Sequence, residues 1–309
     1  MTKFAYYFFY TVSLLPMRVL YCLSDVFAFV LYYIIRYRRD IVRRNISTSF
    51  PEKSEKEVKS IEKKFYRWFC DYFFEAIKLL SISRRELDKR LIVVNPEVHE
   101  AWFRKGRNTS AMLGHYCNWE WLSHVGKDMN PERRQCLIYD PLHSKAMDYV
   151  FYKLREFPPT GVPTPKKDIL RQLIRWKQQG IYSLSGYIAD QAPKWTNIHL
   201  WLPFLNHPYT PVFTGAERIE RKMNDVVYFL RMTRPRRGCY KVEYILITDD
   251  PNSLPQGEIT RRFFTMLEQS VREAPQYYLW THNRWKRTKE EFDRRYEIVN
   301  GKTVARKEQ

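Results

Sequence analysis

The spacing of apolar residues changes several times along the chain, and each change marks an element. Residues 1–35 are apolar almost throughout: FAYYFFYTVSLLPM, then Arg18, then VLYCLSDVFAFVLYYII. After the turn signal SFPEKS, residues Val58, Ile61, Phe65, Trp68, Phe69, Phe73 and Ile77 recur at helical spacing, which predicts an amphipathic helix packing on the core. TSAMLGHY is a short apolar run that fits a buried strand. NWEWLSHVG after it reads as a helix capped by Asn118 and stopped near Gly126. QCLIYD predicts a strand, HSKAMDYVFYKLREF a helix, PPTGVPTP a loop, DILRQLIRWKQQG a helix and IYSLSGYIADQ a strand. VVYFLRMT and CYKVEYILI, joined by the basic turn RPRRG, predict an antiparallel pair, and ITRRFFTMLEQSV a closing helix.

Strands alternating with helices predict an α/β fold, a mostly parallel central sheet flanked by helices. With no repeat and no long linker, the economical division is a membrane anchor at 1–35 and one catalytic domain at 36–309. Neither apolar half of the anchor reaches the roughly 20 residues needed to span. One helix kinked at Pro16 spans if tilted; two half-inserted segments lie at the interface instead, and a buried helical hairpin is the third alternative. No A-x-A cleavage site follows, and five arginines between Arg36 and Arg44 predict a cytoplasmic flank.

Charge narrows the partners. Lys+Arg number 53 against 34 Asp+Glu, a net charge of +19, and residues 1–35 hold only Lys3, Arg18 and Asp25 of these. The protein is an apolar head on a cationic body, which suits acidic lipids, an acidic carrier protein or nucleic acid. Nucleic acid is the weakest of the three, because no recognisable nucleic-acid motif accompanies the charge. Five cysteines, odd in number and without C-x-x-C, predict neither a disulfide framework nor a zinc site. No H-E-x-x-H, Walker loop or G-x-G-x-x-G occurs, so no metal or nucleotide cofactor is expected.

The stretch GHYCNWEW, 114–121, sets His115 and Glu120 five apart. Seven histidines and 34 acids in 309 residues give about one such pair by chance, and there are two, the other being His143 and Asp148. On one helix, positions i and i+5 diverge by about 140°, which disfavours the second pair. His115 is expected in a turn after a strand, with Glu120 in the first turn of the next helix, where the side chains can meet and a carboxylate suits the helix dipole. A histidine held by a carboxylate is a general base. Without a G-x-S-x-G elbow, that base would activate a hydroxyl of the substrate.

GHYCNWEW resembles the H-x-x-x-x-[DE] motif of glycerolipid-type acyltransferases, in the form of the bacterial late acyltransferases of lipid A biosynthesis. LSDVFAFVLYYIIRYRRDIVRRNISTSFPE, IYDPLHSKAMDYVFYKLRE, IADQAP, FTGAERI and YYLWTHNRWKR are similar to that family in the same order, over almost the whole chain. The resemblance implies an acyl-carrier-protein thioester as donor and a hydroxyl of a lipid A precursor as acceptor, with another glycolipid or an amino-acid lipid as the alternative. It implies His115 as base, Glu120 as the carboxylate that orients it, Arg155 on phosphate or oxyanion charge, and Asp190 and Gln191 as site-shaping residues. It also implies the bacterial inner membrane, catalytic domain toward the cytoplasm, with carrier protein, lipid acceptor and anionic membrane as partners and no cofactor. Cys117 and Asn206 stand where the family often has glycine. A thiol nucleophile at Cys117 has only its nearness to His115 in its favour. Arg231, Arg234, Arg236, Arg237, Arg284, Lys286 and Arg287 are expected either to dock anionic partners or to form solvated faces.

Overall fold

The computed structural model describes residues 2–140, 142, 144–155, 160–299 and 301–306. The chain opens with α1 (Thr2–Leu14) and α2 (Met17–Phe29), broken at Pro16, and α2 runs on as a π-helical turn over Val30–Ile34. Then come α3 (Arg39–Ser49), α4 (Glu55–Lys78), α5 (Arg84–Arg90), β1 (Leu91–Val93), α6 (Val98–Arg104) and β2 (Thr109–Leu113). The middle holds β3 (Arg134–Tyr139), α7 (Lys145–Arg155), β4 (Gly161–Pro165), α8 (Ile169–Gln178), β5 (Ser183–Ile188), β6 (Leu200–Phe204), β7 (His207–Val212) and α9 (Gly215–Met223). The chain closes with β8 (Val226–Arg236), β9 (Cys239–Thr248), α10 (Glu258–Glu273), α11 (Lys289–Arg295), β10 (Tyr296–Val299) and β11 (Lys302–Ala305).

Seven strands form the central sheet in the order β1-β9-β8-β2-β5-β3-β4, and only β8 and β9 pair antiparallel. The α/β expectation holds. Of PPTGVPTP, expected as a loop, Gly161–Pro165 form β4; Pro163 and Pro165 are tolerated because β4 is an edge strand, where an absent N–H breaks no ladder.

α4 begins at a capping box in which Ser54 and Glu57 satisfy each other's backbone N–H groups. Val58, Ile61, Phe65, Trp68 and Phe69 are buried as the periodicity predicts, whereas Phe73 is 43% exposed. The same helix buries Asp71 and Glu75, and the sequence offered one clue to them: carboxylates four apart inside an apolar stripe.

The region after β2 is not the α-helix expected there. A turn leads into a 3-10 helix over Trp121–Asp128, and Asn118 does not cap it. Asn118 is fully buried and donates from Nδ2 to Glu75 at 2.9 Å, while Trp121 Nε1 donates to the Glu75 carbonyl at 3.0 Å. These two bonds bolt the turn to α4 and account for the departure from α-helix.

Candidate active site

β2 and β5 are adjacent and parallel, with Leu113 opposite Ile188. Two residues beyond each strand end lie His115 and Asp190, so the register itself brings them together at the carboxyl edge of the sheet, where ligands of α/β folds bind. His115 Nδ1 is 2.6 Å from Asp190 Oδ1, and the His115 backbone N–H donates to Asp190 Oδ2 at 3.1 Å. An ionised carboxylate only accepts, so Nδ1 carries a proton, and Nε2 is the nitrogen whose lone pair is available whenever the ring is neutral. Gln191 Nε2 lies 3.2 Å from that nitrogen. Burial of Asp190 would raise its pKa, but the His115 charge, the two hydrogen bonds from His115 and the Arg284 charge outweigh it and hold the carboxyl below its usual range.

The expected pairing of His115 with Glu120 is therefore corrected. Glu120 is bound instead by Arg155, whose Nη2 donates to both carboxylate oxygens at 2.9 and 3.0 Å. Trp119 separates the two pairs: its ring meets His115 edge-on at 5.0 Å and stacks on Tyr72 at 4.0 Å. Of the competing pair, Asp148 accepts from the Leu142 N–H in the first turn of α7, and His143 lies outside the described residues.

Glu120 and Arg155 stand on the wall of a narrow cavity of about 60 Å³ between the sheet and the 3-10 helix. Its other walls are mostly apolar, with Leu113, Leu122, Leu137 and Ile188 among them. The tail runs beside the turn from the opposite side. The Leu279 N–H donates to the His115 carbonyl at 3.1 Å, the Cys117 N–H to the Tyr277 carbonyl at 2.9 Å, and the Ala192 N–H to His282 Nε2 at 3.2 Å. Burial and the Arg284 charge push the His282 pKa down to about 4, so at neutral pH it stays an acceptor.

An imidazole oriented by a buried carboxylate, beside a largely apolar cavity with an arginine on its wall, can in its neutral form take a proton from a hydroxyl, and the arginine can stabilise charge that develops near it. The family profile of the bacterial lipid A biosynthesis acyltransferases matches residues 1–287. The chain belongs to that family. No individual curated protein matches it. Membership makes the protein an acyltransferase of the lipid A type, and α11, β10 and β11 lie beyond the matched region. Lipid A acyltransferases work at membranes, and Met17–Ile34 is apolar and long enough to cross one, with a mean hydropathy of 1.5.

Both departures from the acyltransferase pattern have a backbone correlate. Cys117 and Asn206 adopt φ of 52° and 61°, the left-handed region that costs glycine nothing. The Cys117 thiol is fully buried, burial raises its pKa well above the usual thiol value, and it points to the Met232 carbonyl. A low-pKa nucleophile is the opposite of this.

The arginines expected at docking or solvated faces are mostly structural. Arg234 binds Asp71 at 2.7 Å and Glu75 at 3.2 Å, and Arg237 binds Asp71 and Asp25. Arg231 binds Glu273, and Arg284 is buried and donates to the Pro211 carbonyl. Arg287 stands over the Trp195 ring, and only Arg236 and Lys286 of the seven are exposed. The bulk of the RPRRG turn and the HNRWKR run therefore holds the protein together.

Proposed function

We propose that this acyltransferase moves a fatty acyl chain from an acyl-carrier-protein thioester to a hydroxyl of a lipid A precursor. The observation that carries the reading is the His115–Asp190 pair at 2.6 Å, in a lipid A family chain, next to a cavity with Arg155 on its wall. In this reading His115 Nε2 takes the acceptor's hydroxyl proton as the oxygen attacks the thioester carbonyl. The tetrahedral intermediate collapses, the carbon–sulfur bond breaks, and the protonated imidazole returns its proton to the carrier thiolate. Asp190 holds the imidazole in the reacting tautomer and stabilises its positive charge. Gln191 occupies Nε2 until the hydroxyl displaces it, and Glu120 holds Arg155 where phosphate or oxyanion charge arrives. Leu113, Leu122, Leu137 and Ile188 offer an acyl chain apolar walls beside Arg155.

The test is transfer from a labelled acyl-carrier-protein thioester to a lipid A precursor in detergent, comparing wild type with His115→Ala and Glu120→Ala. Product falling by roughly 10²–10⁴ in folded His115→Ala supports the base. Variants that match an active wild type would refute it. Histidine-dependent release of free fatty acid without product keeps the chemistry and moves the acceptor to another glycolipid or an amino-acid lipid.

A further inference from the structure

α2 has two faces of opposite character. One is fastened to α4 along its length. The Tyr32 and Tyr66 rings meet at 5.3 Å, Ser24 Oγ donates to Asp71 at 2.7 Å, and Tyr21 Oη donates to Glu75 at 2.9 Å. Lys78 Nζ reaches the carbonyls of Ser13 and Leu15 at 2.7 and 3.1 Å. Descending positions of α2 meet ascending positions of α4, so the helices run antiparallel side by side. The other face exposes Val19, Leu23, Val26 and Ile34, from 37% to 66%. α1 continues this stripe with Phe4, Tyr7 and Phe8, at 77%, 62% and 56%.

Length alone would let Met17–Ile34 cross a bilayer, since 18 residues rise about 27 Å against about 30 Å of hydrocarbon. α4 forbids it. A crossing α2 would drag Lys63, Lys64 and Arg67, exposed on α4, into lipid together with the Asp25–Arg237–Asp71 ion cluster. Charges at that depth are costly on every available scale. Laid flat, the same surface immerses its apolar stripe and leaves those charges at the headgroups.

We propose that α1 and α2 lie in the plane of one leaflet of an anionic bilayer, and that the chain does not cross it. The inference shares with the proposed function only its membrane setting. A second copy of the chain is the poorer occupant, because Arg18, Arg36, Lys63 and Arg67 rim the stripe and would face like charges, whereas acidic headgroups neutralise them. The immersed surface adjoins the site. Tyr6 of α1 packs edge-on against Tyr149 of α7 at 5.7 Å, and α7 ends at Arg155 on the cavity wall. A lipid acceptor would then reach Arg155 from within the leaflet.

Arg18 stands in the first turn of α2, the end that a crossing α2 would carry to the far side. Full-length protein carrying Arg18→Cys and Lys286→Cys together, with Cys22→Ser, is reconstituted in phosphatidylethanolamine vesicles containing about one third phosphatidylglycerol, and the number of labels per molecule is read by mass. A membrane-impermeant maleimide is then added outside. The buried Cys70, Cys117, Cys136 and Cys239 are shielded in the fold. Molecules labelled at both positions or at neither, with binding at least tenfold weaker to vesicles of neutral phosphatidylcholine, are the expected result. Arg18→Cys labelled only where Lys286→Cys is protected would overturn the proposal. So would protein that stays in solution as a dimer. Acyl transfer is not read, so failure of the proposed chemistry leaves the topology result intact.

Discussion

Asp190 is buried to 2% exposure yet stays ionised, because His115 and Arg284 supply more favourable charge than desolvation removes. Its folded pKa lies below the ordinary value, so the stability it contributes is present above that value and is lost as pH falls through the folded pKa. Asp190→Asn keeps the shape but cannot stabilise an imidazolium. Activity is expected to drop by roughly 10²–10⁴ with no gain from added acceptor, and melting temperature to fall as well, because the buried Arg284 loses a nearby opposite charge. Glu120→Gln should instead act through Arg155, chiefly on KM for a phosphorylated acceptor. Equal kcat losses in the two variants, with KM unchanged in both, would contradict this division of labour. At Asn206 the left-handed backbone is filled by one of the few residues besides glycine that visit it readily. Asn206→Gly loses the bond from Nδ2 to the Thr48 carbonyl at 3.1 Å but relieves the backbone, so thermal denaturation should show a change within about 1 kcal/mol.

α4 joins three parts of the molecule through two carboxylates. Glu75, fully buried, accepts from Tyr21 of α2, Asn118 of the turn after His115, Tyr240 of β9 and Arg234 of β8. Asp71 accepts from Ser24, Arg234 and Arg237. Removing one carboxylate strands several donors at once, a costlier event than the net worth of any single bond. Glu75→Ala should cost about 3–5 kcal/mol in chemical denaturation, and Glu75→Gln less, because its amide oxygen still accepts. A loss under 1 kcal/mol for the alanine variant would mean that the network is not what holds the turn.

Among the buried acids away from the site, Glu220 and Asp225 have raised pKa values. Burial raises Glu220 to about 8, despite the hydroxyl bond from Ser110 at 2.9 Å, and raises Asp225 to about 7, against the opposing Lys177 and Arg107 charges. In the unfolded chain both ionise at ordinary carboxyl values. The fold binds more protons than the unfolded chain between those values and the raised ones, so stability falls as pH rises through that window. His99, His124, His207 and His282, whose pKa values burial lowers, push the profile the other way at its acid end, so the acids are read by difference: from about pH 5 to pH 8 Glu220→Gln should gain melting temperature relative to wild type. A difference between the two profiles that does not change with pH would contradict the buried neutral acid.

Local pattern determined much of this protein. The helical period of α4, the strand at 109–113, the antiparallel β8–β9 pair and the apolar head are all legible because each depends on neighbours in sequence. So is the ordered set of motifs that places His115, Arg155 and Asp190 in a lipid A acyltransferase. Which carboxylate meets His115 was not legible. Glu120 is five residues away and Asp190 is 75, and the strand register between β2 and β5 joins the distant pair. The same holds for the basic runs: composition shows cations, but only packing shows that Arg234, Arg237 and Arg284 face carboxylates or bury their charge inside. A side chain's type is written at its own position, whereas its partner is set by where the sheet brings the rest of the chain.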